Sequence, residues 1–387
     1  MKIKRLFARA INDTRGDKTI EVYLKTDFGE FIASAANGKS RGIYEAKPWK
    51  KNILSDINFI NKYFIEEINF KDFNDLILLE NIFKKNVGAN SMTAIEFVFL
   101  KALAYREDKQ VWELINPRSK EIPFSIGNTI SGGVHSSEKP KPDFQEFHFI
   151  PITNFKKSFE INKRARENCA EILKNIDKNF KFKTSDENAW QTSLSNEKVV
   201  ELMKDVKENM IDEFGVKIHL GVDIAASQFF NGKNYKYKNE KKILTKEQQI
   251  NYMQKLSDVF YYIEDPLEEN DFSGFSETIK KSKSLICGDD LTATNLERLQ
   301  VAVKKKSINS MIIKPNQIGS LIEVKKIVDF CRKNKIKIVF SHRSGETSED
   351  ILADLAFAFQ ANFIKTGICG KGRDEKLQRM IKIEEQV

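Results

Sequence analysis

Cysteine is scarce in this sequence and never arranged for pairing. Cys169, Cys287, Cys331 and Cys369 lie far apart with no Cys-x-x-Cys pair, which excludes a zinc ribbon and a disulfide framework and makes buried thiols the expectation. Long apolar runs are missing too: none approaches the roughly eighteen residues of a membrane span. The opening Met1-Lys2-Ile3-Lys4-Arg5 runs into an alternating pattern, not into the apolar block and cleavage site of a signal peptide. A soluble, cytoplasmic protein with no membrane partner is expected. There is no low-complexity segment and no basic arm. The net charge of +9 comes from lysines scattered among 55 acidic residues, so a nucleic-acid partner is not expected, although a positive field can help attract a small anionic substrate.

What the chain does have is enough apolar material for two cores. Its 387 residues, 41% apolar and 11% aromatic, exceed the length at which one core stops growing. Three alternating segments, 3–11, 19–25 and 30–35, with a turn signal at Asp27-Phe28-Gly29, predict an antiparallel meander. From 53 to about 114 the apolar spacing lengthens to three and four residues, with a break at Gly88-Ala89-Asn90-Ser91 before Ile95, Phe99 and Leu103. Several helices follow from that spacing. An α+β domain over 1–117 is therefore expected, closed by the turn-rich junction Asn116-Pro117-Arg118-Ser119. Beyond it, in 118–387, a strand-then-helix unit recurs at 217–224, 259–266, 285–290, 310–316, 336–342 and 363–367. Earlier candidates at 122–127 and 146–152 bring the strands to eight, the number that closes an α/β barrel. The polar stretch 231–242 reads as a surface loop.

Chemistry is suggested by position. Asp223, Glu264, Asp289, Lys314, His342 with Arg343, and Lys365 stand at or near the carboxyl ends of the repeated strands, the ends that meet on one face of a barrel. Any one of them alone is as easily an ordinary solvent-facing strand end; the succession is not. Asp223, Glu264 and Asp289 would repel one another without a cation, and all-oxygen ligation favours magnesium over zinc. Lys314 or Lys365, facing those acids, could take a proton. Abstraction next to a carboxylate leaves a dianion that nearby positive charge must stabilise. Arg343 and Ser344 suit a phosphate or carboxylate.

These segments resemble the enolase family. Ile312-Ile313-Lys314-Pro315-Asn316-Gln317-Ile318-Gly319-Ser320 is similar to the enolase signature. Ser341 through Thr347, Gly288-Asp289-Asp290-Leu291, Ile263-Glu264-Asp265-Pro266, Asp223 through Ser227 and Phe363 through Gly367 look like enolase motifs in enolase order. So do segments around Arg9, Gly42, Gly132, Gln145 and the closing Ile383-Glu384-Glu385. The resemblance implies interconversion of 2-phosphoglycerate and phosphoenolpyruvate. Lys314 would be the base at C2 and Glu187 the acid at the leaving hydroxyl, with Glu146 as its partner. Lys365 would bind substrate carboxylate beside the metal, Arg343 and Ser344 the phosphate, and His342 and His135 would stand at the pocket. It further implies two Mg2+ per site, the second held by Ser40 of a mobile loop, and a homodimer formed largely by the amino-terminal domain.

Several places depart from the family pattern. Glu187 is followed by Asn188-Ala189 instead of two glycines; a positive φ there would suit Asn188 better than Ala189. The serine loop carries Lys39 and Arg41, and the flap 136–142 is long, changes that can alter affinity or closure. His148 and His219 lie inside strands and read as packing residues. Two other readings stay open: a relative that dehydrates a related hydroxyacid, and a catalytically idle scaffold or RNA-associated protein.

Overall fold

The computed structural model describes residues 1–39, 42–63 and 66–387. Strands Ile3–Asn12, Lys18–Thr26 and Glu30–Ser34 form the expected antiparallel meander. Its buried face, which includes Ile20, Val22 and Leu24, packs on helix Ala89–Arg106. Helices Ile53–Lys62, Leu76–Phe83 and Val111–Ile115 complete this part. The expected break at 88–91 lies earlier, at 84–88 between helix Leu76–Phe83 and helix Ala89–Arg106, so Ala89, Asn90 and Ser91 already belong to the helix.

The rest is a closed α/β barrel. The sheet order runs from Phe124–Ser125 through Phe363–Lys365, Lys337–Ser341, Ser310–Ile313, Leu285–Gly288, Tyr262–Glu264, Ile218–Asp223 and Glu146–Pro151 to Gly127–Ser131. The first and last of these are halves of one bent strand. Ile126 between them donates its N–H to the carbonyl of Ile364, and Gly127 pairs with Phe149, so the ring of eight closes on itself. Trp190–Gln191 adds a short flank outside it. Strand Glu146–Pro151 runs antiparallel to both neighbours, while the others are parallel.

Side chains alternate across a strand, and the ring obeys that rule. Ile126, Ile150, Tyr262, Cys287, Ile312 and Phe363 belong to one small buried cluster that fills the axis. Their neighbours Ile263, Ile286, Met311 and Ile313 join the larger core under the helices. Each such burial stabilises the fold by roughly 1.5–3 kcal/mol before conformational entropy is charged against it. The outer helices begin where polar caps occur in sequence: Asn154, Thr245, Asn295 and Ser320 each accept a hydrogen bond from a first-turn N–H. Gly215, at φ 62°, ends helix Asn196–Phe214 in the left-handed conformation that glycine adopts freely.

The stretch 231–242 is more than a surface loop. It contains strand Tyr235–Tyr237, paired with Lys242–Leu244, and Tyr235 and Tyr237 are buried against Phe229. The lysines between the tyrosines dominate the composition and hide the period-two pattern. None of the four cysteines is in a disulfide; Cys169, Cys287 and Cys331 are buried as expected, whereas Cys369 is half-buried.

Candidate active site

The alternation that fills the barrel axis also selects the residues at its mouth. Two positions beyond Tyr262, Cys287, Ile312 and Phe363 stand Glu264, Asp289, Lys314 and Lys365. Asp223 is the register partner of Glu264, and Glu146 the partner of Asp223. Because its strand is reversed, Glu146 reaches the mouth from the beginning of a strand and not from its end. Loops bring Glu187, His135, His342, Arg343 and Ser344 to the same cleft of about 590 Å³.

Charge is arranged around two ammonium groups. Lys365 Nζ lies 2.8 Å from Glu264, 3.0 Å from Glu146 and 3.4 Å from Asp223. Lys314 Nζ lies 2.5 Å from Asp289 Oδ2. One ammonium cannot neutralise three buried carboxylates. Burial, and then Asp223, push Glu264 up to about 8 despite Lys365. Burial pushes Asp223 up to about 6, with Glu146 and Asp289 adding to the rise and Lys365 opposing it. Lys365 itself is held well above its ordinary value, its burial outweighed by those acids. Burial and Asp289 raise Asp290 to about 7, and burial with Asp290 and Asp289 raises Asp265. Both oxygens of Asp265 are already engaged, accepting the N–H groups of Asp289 and Asp290 at 3.0 and 2.7 Å.

The opposite wall carries a second network. Four positions round the ring from the strand of Lys314, Glu146 accepts from His148 Nε2 at 2.9 Å and faces His135 Nδ1 at 3.0 Å. Glu187 lies 3.4 Å from His342 Nε2 and 4.0 Å from His135 Nδ1, and Asn128 Nδ2 donates to it at 3.1 Å. Burial and Glu146 raise Glu187, but His342 and His135 more than offset them and hold it at about 2. His135 is raised, its burial outweighed by Glu146 and Glu187. The Glu187 loop is shaped by Asn188, which takes φ 63° while Ala189 stays outside the left-handed region. Arg166 Nε donates to the Asn188 carbonyl at 2.8 Å.

Arg343 and Ser344 border the cleft on the side of the amino-terminal meander. Arg343 pairs with Glu45 at 2.8 Å and donates to Asn316 at 3.3 Å. Ser344 Oγ accepts from Arg15 at 2.9 Å and from the Lys39 N–H at 2.8 Å. Ser40, expected as a metal ligand, lies outside the described residues.

Thus the expected base, acid, histidines and anion-binding residues share one cleft. The expected metal set is less tight. Among the described residues, the acidic groups whose ligand atoms gather within 4.8 Å are His135, Glu146 and Glu187, and Asp265, Asp289 and Asp290. Asp223 and Glu264 stand instead around Lys365, and Asp289 on Lys314. Sequence reading missed Asp265 and Asp290 as part of the charge cluster, although both adjoin expected ligands. It also missed Asn128 and Glu45, whose partners are distant in sequence, and it took His148 for packing. His148 is fully buried, but it hydrogen-bonds Glu146; its place two residues along the same strand was the available signal. His219 does pack, stacked on Tyr261 at 4.1 Å.

A closed barrel with lysines and carboxylates converging at its mouth defines an acid–base enzyme of the α/β-barrel class. Residues 119–387 match the family model described as enolase, C-terminal TIM barrel domain. The enolase of Methanosphaera stadtmanae is 35% identical over 397 residues, covering 98% of this chain and 96% of that protein. The enolases of Picrophilus torridus and Archaeoglobus fulgidus are 36% and 35% identical, each across 100% of this chain and 99% and 98% of their own lengths. The chain belongs to the enolase family and is a carbon–oxygen lyase.

Proposed function

We propose that this enzyme interconverts 2-phosphoglycerate and phosphoenolpyruvate with magnesium as its metal. The observation that carries the reading is the placement of Lys314 and Glu146 on strands four apart in a ring of eight. An amine on one wall and a carboxylate–histidine network on the other suit removal of a proton from one face and of hydroxide from the opposite face. Lys314 is the base at C2. It is raised by Asp289 against the effect of its burial, so it accepts a proton only once that pairing relaxes. Glu187, with Glu146, serves the departing hydroxyl. Glu187 is ionised as it stands, so its acid role requires a proton. An entering anionic substrate raises its proton affinity by like charge, and the groups beside it that can pass a proton are His342 at 3.4 Å and His135 at 4.0 Å. Arg343 and Ser344 grip phosphate, Lys365 the substrate carboxylate, and His342 orients Glu187.

The residues fit a hard divalent cation. Asp289 Oδ1 is buried with no hydrogen-bond partner, and burial, with neighbouring carboxylates adding to it, raises Asp223, Glu264 and Asp290. Asp223, Glu264 and Asp289 would hold the first ion and Ser40 a second. Such an ion supplies the positive charge that an enolate dianion needs. In the same reading 1–117 is one domain and carries a homodimer contact, 118–387 is the catalytic domain, and the protein is cytoplasmic. Light scattering checks the dimer.

The test is magnesium-dependent growth of phosphoenolpyruvate absorbance from 2-phosphoglycerate, beside other 2- and 3-hydroxyacids with and without phosphate. Folded, metal-loaded protein with no turnover, or with preference for another acid, rejects the reading. Lys314→Ala should abolish exchange of the C2 proton, at least a 100-fold loss, with unchanged melting temperature; retained exchange reassigns the base.

A further inference from the structure

One row below the mouth, the register aligns four residues of neighbouring strands. Asn128 pairs with His148, His148 with Gly221, and Gly221 with Tyr262. The row above it on the last three strands is Glu146, Asp223 and Glu264. Three members of the lower row are donors, and each holds one acid at the mouth. Asn128 Nδ2 donates to Glu187 at 3.1 Å, His148 Nε2 is 2.9 Å from Glu146 Oε2, and Tyr262 Oη donates to Glu264 Oε2 at 2.7 Å. The fourth member, Gly221, has no side chain, and the space goes to the imidazole. A Cβ on Gly221 would lie 3.3 Å from both His148 Cβ and His148 Nδ1.

We propose that His148 is a positioning residue, the centre of this donor row, which fixes Glu146 in the orientation the reaction uses. The inference rests on the role given to Glu146 above. Glu146 Oε2 already faces the Lys365 ammonium at 3.0 Å, a donor-only group, so this oxygen accepts. His148 Nε2 must therefore carry the hydrogen. His148 Nδ1 is buried without a partner; a bare ring nitrogen there costs less than an orphaned N–H. The tautomer is thus set by the surroundings. With Oε2 tied to His148 and Lys365, Oε1 is left facing His135. Losing the donor frees the carboxylate to rotate without removing any group that touches substrate.

The full-length enzyme tests this with His148→Phe, which keeps bulk and loses the donor, and His148→Gln, which keeps a donor. His148→Phe should lower kcat about 10- to 100-fold with KM within about threefold, the range for a lost supporting hydrogen bond. His148→Gln should recover most of that. Nitrogen-15 NMR of the wild-type ring, assigned by comparison with His148→Gln, should show hydrogen on Nε2 at neutral pH. An unchanged kcat in His148→Phe, a glutamine variant no better than phenylalanine, or hydrogen on Nδ1 overturns the proposal. If wild type fails to turn over 2-phosphoglycerate, the substrate reading falls, and the NMR result still decides the donor. If His148→Phe does not fold, the glutamine variant and the NMR result decide it.

Discussion

Lys365 has one positive charge and three carboxylate neighbours, and burial of acids beside other acids sets how the protein should respond to pH. Asp223, Asp290 and Glu264 are raised from ordinary values of 3.8, 3.8 and 4.5 to about 6, 7 and 8. Each binds its proton more tightly folded than unfolded. Their contribution to stability is complete below the unfolded values and is lost as pH rises through the folded ones. Glu146 and Glu187 are shifted downward, so their opposite effect falls in a more acidic window. Metal-free protein should therefore lose melting temperature between about pH 5 and 8. Magnesium should restore it and release roughly one proton at neutral pH, measurable by calorimetry in buffers of different ionisation enthalpy. A flat metal-free stability profile would show that these acids are not strained together.

Among the elements, the segment between helix Phe155–Ile176 and strand Trp190–Gln191 depends on one acid. Asp177 accepts from Thr192 Oγ1 at 2.6 Å, Ser193 Oγ at 2.5 Å, the Ser193 N–H at 2.8 Å and the Asn179 N–H at 3.0 Å. It thereby ties together the two ends of the loop that carries Glu187. Asp177→Ala should cost about 2–3 kcal/mol from lost charge-assisted hydrogen bonds, read as a lower denaturation midpoint, and should reduce kcat more than it changes KM. Equal activity per folded molecule would show that the loop is held elsewhere. Much of the element pattern was legible: the strand ends at Asp223, Glu264, Asp289, Lys314 and Lys365 follow from period-two burial and strand length. Strand direction was not. Nothing local to residues 146–151 tells a chain whether it rises or falls, since that depends on pairing with Ile218–Asp223. Pairings such as Arg343 with Glu45 and Asn128 with Glu187 join residues brought together only by the closed ring and the docked meander.

At the scale of the molecule, the net charge of +9 is not spread evenly around the cleft. Lys139, Lys141, Lys238 and Lys241 line a cavity of about 1100 Å³ that shares Gln228 with the active-site cleft. Burial lowers Lys141, and Lys139, Lys238 and Lys39 lower it further against the single opposing acid Asp143. An anionic substrate approaching along this side should be drawn in. Lys238→Glu should reduce kcat/KM about three- to tenfold at low ionic strength, leave kcat unchanged, and approach wild type as salt is added. A salt-independent deficit would point to a direct contact instead.

The reversed strand Glu146–Pro151 also shapes what can vary in this enzyme. Most neighbouring strands of the ring are joined by a chain that leaves the mouth, crosses the outside as a helix and returns from below. Residues 132–145 instead join Ser131 to Glu146, which are register partners, so this stretch is a clasp with both feet planted at the rim of the cleft. Phe144 anchors its far end, buried against Tyr252 and donating its N–H to Asn196, so changes of length in 136–142 alter access to the cleft while the wall beneath stays unaltered.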